Sequence, residues 1–141
     1  MEPNSEFRDD EVIYRRIPNK PDFLAPNLLT GEKLPTHTAF RWDRDGISVH
    51  RSSILSAHNL GPEAMVKKEE HTVYGFSVQT VRSCKAKLIN DPDLDDPPIG
   101  IAHALIQGDV PKPEKPVRRE ISESLAQASR RYYPPEDTPL A

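Results

Sequence analysis

The sequence predicts an α+β fold in which one small twisted sheet, mixed or antiparallel, packs against a C-terminal helix. Three observations lead there. Of the 15 prolines, only Pro62 lies between Thr36 and Asp91, and proline removes a ladder donor and is excluded from central strands, so the middle of the chain should hold most of the sheet. Short runs in that stretch alternate apolar and polar residues with the period of two that strands require. Late in the chain Val117, Ile121, Leu125 and Ala128 recur at helical spacing. Leu, Ile, Val and Phe make up 32 of 141 residues, slightly above the roughly 20% below which chains stay disordered. That is enough for one core. The expected plan is a disordered polar leader over 1–9, a single domain over 10–133 and a disordered Pro-rich tail over 134–141.

The elements follow in order. Val12–Ile17 reads as a strand, with Ile13, Arg15 and Ile17 on one face and Val12, Tyr14 and Arg16 on the other. Pro18–Pro35 reads as an irregular loop carrying Phe23, Leu24, Leu28 and Leu29 to the core; a loop of this length and composition suits a lid, a partner-binding arm or plain packing. Thr38–Arg51 reads as a hairpin closed by Asp43–Gly46, with Trp42 opposite Ile47, Phe40 opposite Val49 and Gly46 supplying a positive φ. Ala39, Arg41, Ser48 and His50 would then share the polar face. A short helix is expected after Pro62, a strand over Thr72–Val78 with Tyr74, Phe76 and Val78 inward, a short helix over Gln79–Ala86 and a strand over Lys87–Asn90. Residues 90–98 read as a loop. Residues 99–108, apolar on both faces, read as the central strand. The last helix should run from about Pro116 to about Arg131, where Pro134 and Pro135 prevent continuation.

Composition excludes several functions. With 19 basic and 22 acidic residues, the net charge is −3, unlike a protein that coats nucleic acid. Arg118, Arg119, Arg130 and Arg131 on the last helix are offset by Glu114, Glu120 and Glu123, and no helix-turn-helix precedes them. No apolar run approaches the length of a membrane span, and the first residues lack a signal-peptide pattern. The single cysteine, Cys84, excludes an internal disulfide and a cysteine-cluster zinc site. A cytoplasmic protein is expected, with no metal and no cofactor.

The candidate ligand-binding residues are Arg15, Arg41, His50 and His103. Arg forks recognise phosphates and carboxylates, and His37, Arg41 and His50 on one wet sheet face suit a phosphate. His103 interrupts a strand of Ile, Ala and Leu, so it is either a satisfied core histidine or a site residue. The aspartates at 91, 93, 95 and 96 fail the calcium-loop pattern, because Asp96 stands where glycine is needed. Cys84 has Lys85 and Lys87 nearby but no histidine in register. Ser52 and Ser53 have no nucleophile-elbow context, and no phosphate-binding glycine loop is present. With no complete catalytic set, the expectation is a non-catalytic interaction module or accessory subunit that binds another protein.

The order VIYRRI, TAFRWDRDGISVHRS, GFSV, IAHALIQG and RREISESLAQASRR, over about 11–131, resembles a family of small bacterial proteins. The resemblance implies a fold order and a bacterial setting, a defence or toxin–antitoxin-like assembly included, and no activity. The first half also resembles RES-type members of the ADP-ribosyltransferase-like group, through Tyr14–Arg15, Phe40–Arg41–Trp42–Asp43 and Val49–His50–Arg51–Ser52. That resemblance implies an NAD- or nucleotide-binding protein in which Arg15 or Arg41 clamps the pyrophosphate and His50 orients the ribose; it assigns no catalytic glutamate, and Glu63 is only a guess. Ala39 and Phe40 replace that group's paired glycines, and His50 and Arg51 replace its tyrosine and threonine.

Overall fold

The computed structural model describes residues 7–140. Six strands form an antiparallel sheet: β1 (Val12–Pro18), β4 (Ile47–Arg51), β5 (His71–Ser77), β6 (Lys87–Asn90), β7 (His103–Gln107) and β8 (Arg130–Tyr133). Their spatial order is β6-β7-β4-β1-β5-β8. A separate hairpin pairs β2 (Leu24–Pro26) with β3 (Lys33–Pro35). Three helices complete the fold: α1 (Ser52–Ala57), α2 (Val78–Ser83) and α3 (Lys115–Ala128). Among the described residues, no helix is long and apolar enough to cross a membrane.

The sheet is covered on both faces, which explains why β1 and β5 carry apolar residues at consecutive positions. On the first face Ile13, Ile17, Val49, Tyr74, Phe76 and Ile106 pack with Ile121, Leu125 and Ala126 of α3. On the second, Tyr14 and Val73 pack with Leu55 of α1, Met65 and Ala102. The expected faces of β1 hold, and so do the inward Tyr74, Phe76 and Val78.

The expected hairpin over 38–51 is not formed. Only Asp43 and Gly46 exchange backbone bonds, at 2.9 and 3.2 Å, and 37–39 winds into a 3-10 turn. β7 pairs along one edge of β4, and β1 takes the His50–Arg51 end of the other. The Ser48 carbonyl accepts from the Arg15 side chain, not from 38–42. The turn itself is as expected: Gly46 has φ +128°, and a Cβ there would lie 2.5 Å from the Ile106 carbonyl oxygen. Phe40 still reaches the first-face core at 1% exposure, and Trp42 packs beside it. Ala39, expected on the polar face, is buried.

The short helix expected after Pro62 forms as a 3-10 helix over 62–65. Three other expectations change. Residues 99–102 form a 3-10 turn, so β7 starts at His103 and lies between β6 and β4 rather than at the centre. α3 stops at Ala128, where the Ser129 hydroxyl bonds back to Leu125 O at 2.7 Å, and Arg130–Tyr133 becomes an edge strand on β5. Its inward face is Ile121, Ser122, Leu125 and Ala126, while Val117 is 46% exposed and Ala128 is exposed.

The ends are tied down where they are described. Residues 1–6 of the expected leader and Ala141 lie outside the described residues, but Phe7 is in the core at 4% exposure. The Arg51 guanidinium sits 3.9 Å from the Phe7 ring centre, and Arg82 holds Asp9 and the Phe7 carbonyl. Beyond β8, the buried Arg131 donates from Nη2 to the carbonyls of Pro135, Glu136 and Thr138, and Leu140 packs on the core.

The Pro18–Pro35 segment divides in two. Its base packs as expected, with Leu24 at 2% exposure and the Tyr74 hydroxyl donating to Lys33 O at 2.7 Å. Its tip does not, because Leu28 and Leu29 are 99% and 95% exposed.

Candidate functional site

The four sequence-chosen residues do not converge. Arg15, on the first face, is consumed by structure: Nε donates to Ala39 O and Nη1 to Ser48 O, both at 2.7 Å. Burial lowers its guanidinium to about 10, with Asp43 acting the other way. Arg15 replaces the ladder that β4 lacks toward 38–42, which leaves it no fork for a ligand. Arg41 is exposed nearby. His50 and His103 pair across β4 and β7 on the second face, their ring centres 5.3 Å apart in a T-shaped arrangement. An NAD clamped by Arg15 would therefore lie across the sheet from His50. Glu63 sits in the 3-10 turn at 62–65, exposed.

On the first face a cleft of about 500 Å³ opens between the 37–42 segment and α3. Its floor is Phe23, Phe40 and Trp42, and its rim carries the cations Arg41, Lys115, Arg118 and Arg119 with the His37 imidazole, against Asp22. Trp42 is fixed by α3, its Nε1 donating to Arg118 O (3.2 Å) and Ser122 Oγ (3.0 Å). Ser122 in turn donates to Phe40 O at 2.9 Å. Arg119 is partly neutralised by Glu123 at 2.8 Å. His37 and Arg41, expected with His50 on one sheet face, instead line this cleft from the 3-10 turn at 37–39 and the segment after it, while His50 lies on the other face of the sheet. The α3 cations belong to the cleft because Trp42 docks on that helix, a contact across 76 residues that no local pattern reveals.

Just before the cleft residues lies the hairpin tip. Asn27 organises it: its Oδ1 accepts from the amides of Leu29 (2.8 Å) and Thr30 (3.2 Å), and its backbone bonds Glu32 and Gly31. Gly31 takes φ +75°. This Asx-turn fixes the backbone that carries Leu28 and Leu29.

The second face holds a polar line. His103 Nε2 lies 2.5 Å from Ser48 Oγ. Its Nδ1 lies 2.8 Å from Asp91 O and 3.2 Å from Asp91 Oδ2. His50 stays neutral over most of the pH range because burial, then His103, then Arg16 push it down to about 4. The loop bearing Asp91 is clamped at Gly100, where a Cβ would fall 1.8 Å from Asp93 O. Sequence reasoning singled out His103 but missed Ser48 and Asp91 as its partners. Elsewhere, burial raises the Cys84 thiol, opposite to what a nucleophile needs.

A buried ion pair anchors the sheet's end. Arg51 donates from Nε and Nη2 to the Glu11 carboxylate at 3.0 and 2.8 Å, and Ser53 donates to the same carboxylate at 2.7 Å. Arg51 is thus a structural residue. No family model, curated protein or solved structure matches the chain.

Proposed function

We propose that the chain is an interaction module, a cytoplasmic accessory subunit that grips another protein through its β2–β3 arm. The observation that carries this reading is the exposure of Leu28 and Leu29 on a tip whose backbone is fixed by Asn27. Adjacent leucines left fully in water on a rigid turn serve no packing purpose in the free chain, and they bind without first paying to order the loop. Burying a leucine contributes about 1.5–3 kcal/mol. The partner has an apolar pocket for the two leucines and acidic groups beside it for the cationic cleft at the base of the arm. The resemblance to small bacterial proteins supports a bacterial assembly, of a defence or toxin–antitoxin-like kind, as the setting.

The test compares eluates of wild type and Leu28→Asp/Leu29→Asp after capture from the native host. A stoichiometric partner retained by wild type and lost by the variant is the expected result. Identical eluates, or a wild-type chain that emerges alone, would overturn the reading.

The cleft favours a second reading, an NAD- or nucleotide-binding protein. Aromatic faces on Phe23 and Trp42 beside Arg41 and Arg118 suit a base stacked next to phosphates. Trp42 is the only tryptophan, so its fluorescence reports the cleft directly. Titration with NAD and nucleotides should change that signal and Arg41→Ala should abolish the change; a flat titration removes this reading and leaves the arm untouched.

A further inference from the structure

We propose that Ser48 is an activated nucleophile, with His103 as its general base and Asp91 holding the imidazole, in a site that accepts the acyl group of a small ester. This goes beyond the docking reading and uses the opposite sheet face. A carbonyl oxygen only accepts hydrogen bonds, so the 2.8 Å contact from His103 Nδ1 to Asp91 O puts the ring hydrogen on Nδ1. In the neutral imidazole Nε2 then carries a lone pair, to which the Ser48 hydroxyl 2.5 Å away donates. That is the protonation pattern a base-activated serine requires. The Asp91 carboxylate, 3.2 Å from Nδ1, stabilises the imidazolium that forms when the base takes its proton.

The surroundings fit. His50, directly across the ladder from His103, is held neutral and sets no like charge against the imidazolium. Arg16 supplies a cation on the same face. Tyr14 pairs with His50, so two residues further along β1 the register carries Arg16 toward Ser48, and its charge is felt at His50. One Arg16 N–H is held by Met65 O at 2.9 Å. The remaining charge can stabilise an oxyanion developing on a carbonyl. Ser48 is half-buried, and both α1 and the 99–102 turn pack on β4, which restricts the acyl group to a small one.

The chemistry balances. Ser48 Oγ adds to the ester carbonyl carbon as its proton passes to His103 Nε2. The bond to the alcohol oxygen breaks, and that oxygen takes the proton from Nε2. Water then attacks the acyl-serine, giving its proton through Nε2 back to Ser48 Oγ and releasing the acid.

An alkyl fluorophosphonate tests this, because an activated serine displaces its fluoride. Peptide mapping of the labelled full chain should find one phosphonyl group on Ser48. His103→Gln should slow labelling by at least about a hundredfold, the lower end of the range for a general base, with the melting temperature unchanged. The exposed Ser53 and Ser56 are internal controls. No label on Ser48 in the wild type, label spread evenly over these serines, or a folded His103→Gln chain labelled at the wild-type rate would each overturn the proposal. The wild-type map decides the matter even if the variant unfolds.

Discussion

Removing the Glu11 carboxylate should be among the most damaging single changes outside the apolar core. Glu11 and Arg51 side chains are 5% and 3% exposed, so water cannot replace either partner. In Glu11→Ala, Arg51 loses the bonds that its Nε and Nη2 make to the Glu11 carboxylate, and Ser53 loses its bond to the same carboxylate. Breaking one side of a buried pair costs about 3–5 kcal/mol. Arg51 keeps Asn90 Oδ1 at 2.8 Å and the Phe7 ring, which places the cost near the lower end, about 3 kcal/mol. A domain of this size has about 5–15 kcal/mol in total, so the variant still folds. Urea denaturation followed by circular dichroism reads the effect: with a slope of about 1–3 kcal/mol/M, the midpoint should fall by about 1.5 M. The double variant Glu11→Leu/Arg51→Met removes both charges and should recover most of the loss. A midpoint shift below about 0.3 M in Glu11→Ala would equate to well under 1 kcal/mol and would refute the claim that this pair is desolvated.

Two further outcomes follow. His50 is neutral in the folded chain down to about 4, against 6.5 in the unfolded chain. Below pH 6.5 the unfolded state therefore binds the proton first, and stability falls as pH drops from about 6.5 to about 4, then levels off. The full displacement amounts to roughly 3 kcal/mol, and denaturation at pH 7 and pH 4.5 should show most of it in wild type and much less in His50→Phe; equal pH dependence in both would contradict the assignment. Gly46→Ala combines φ +128° with a 2.5 Å approach to Ile106 O, so it should cost at least about 2 kcal/mol and lower the melting temperature by about 5 °C; an unchanged melting curve would show that the Asp43–Gly46 turn is not built as described.

Much of the fold was legible because much of it is local. β1, β5, α2 and β6 each carry their signal within a few residues, and the start of α3 is marked by its own stripe and prolines. What could not be read was which strand neighbours which. The alternation of 38–42 with 47–51 fits a hairpin, but β4 pairs with β7 along one edge and with β1 at His50 and Arg51 on the other, and only the assembled sheet shows that the Arg15 side chain bridges Ala39 and Ser48 instead. The end of α3 was misplaced for a similar reason: Arg130–Tyr133 is a strand only because β5 offers a free edge. Leu28 and Leu29 look like core residues in composition, and nothing local says that the Asn27 turn points them outward. The candidate site was half legible. A lone histidine in an apolar strand drew attention to His103, whereas Ser48 is 55 positions away in sequence and Asp91 hid in a loop that reads as solvated acid. Arg15 was chosen for its chemistry and proved to be committed to two backbone carbonyls.

The Leu28–Leu29 tip is the part of the molecule proposed to meet a partner protein. Hydrogen exchange on the purified chain, alone and with the captured partner, tests it most directly. Binding should slow exchange at the amides of 27–34 and along the cleft at 39–42, and leave β6 and the 91–98 loop unchanged. Protection confined to the 91–98 loop and β7, with the arm exchanging as freely as before, would contradict it.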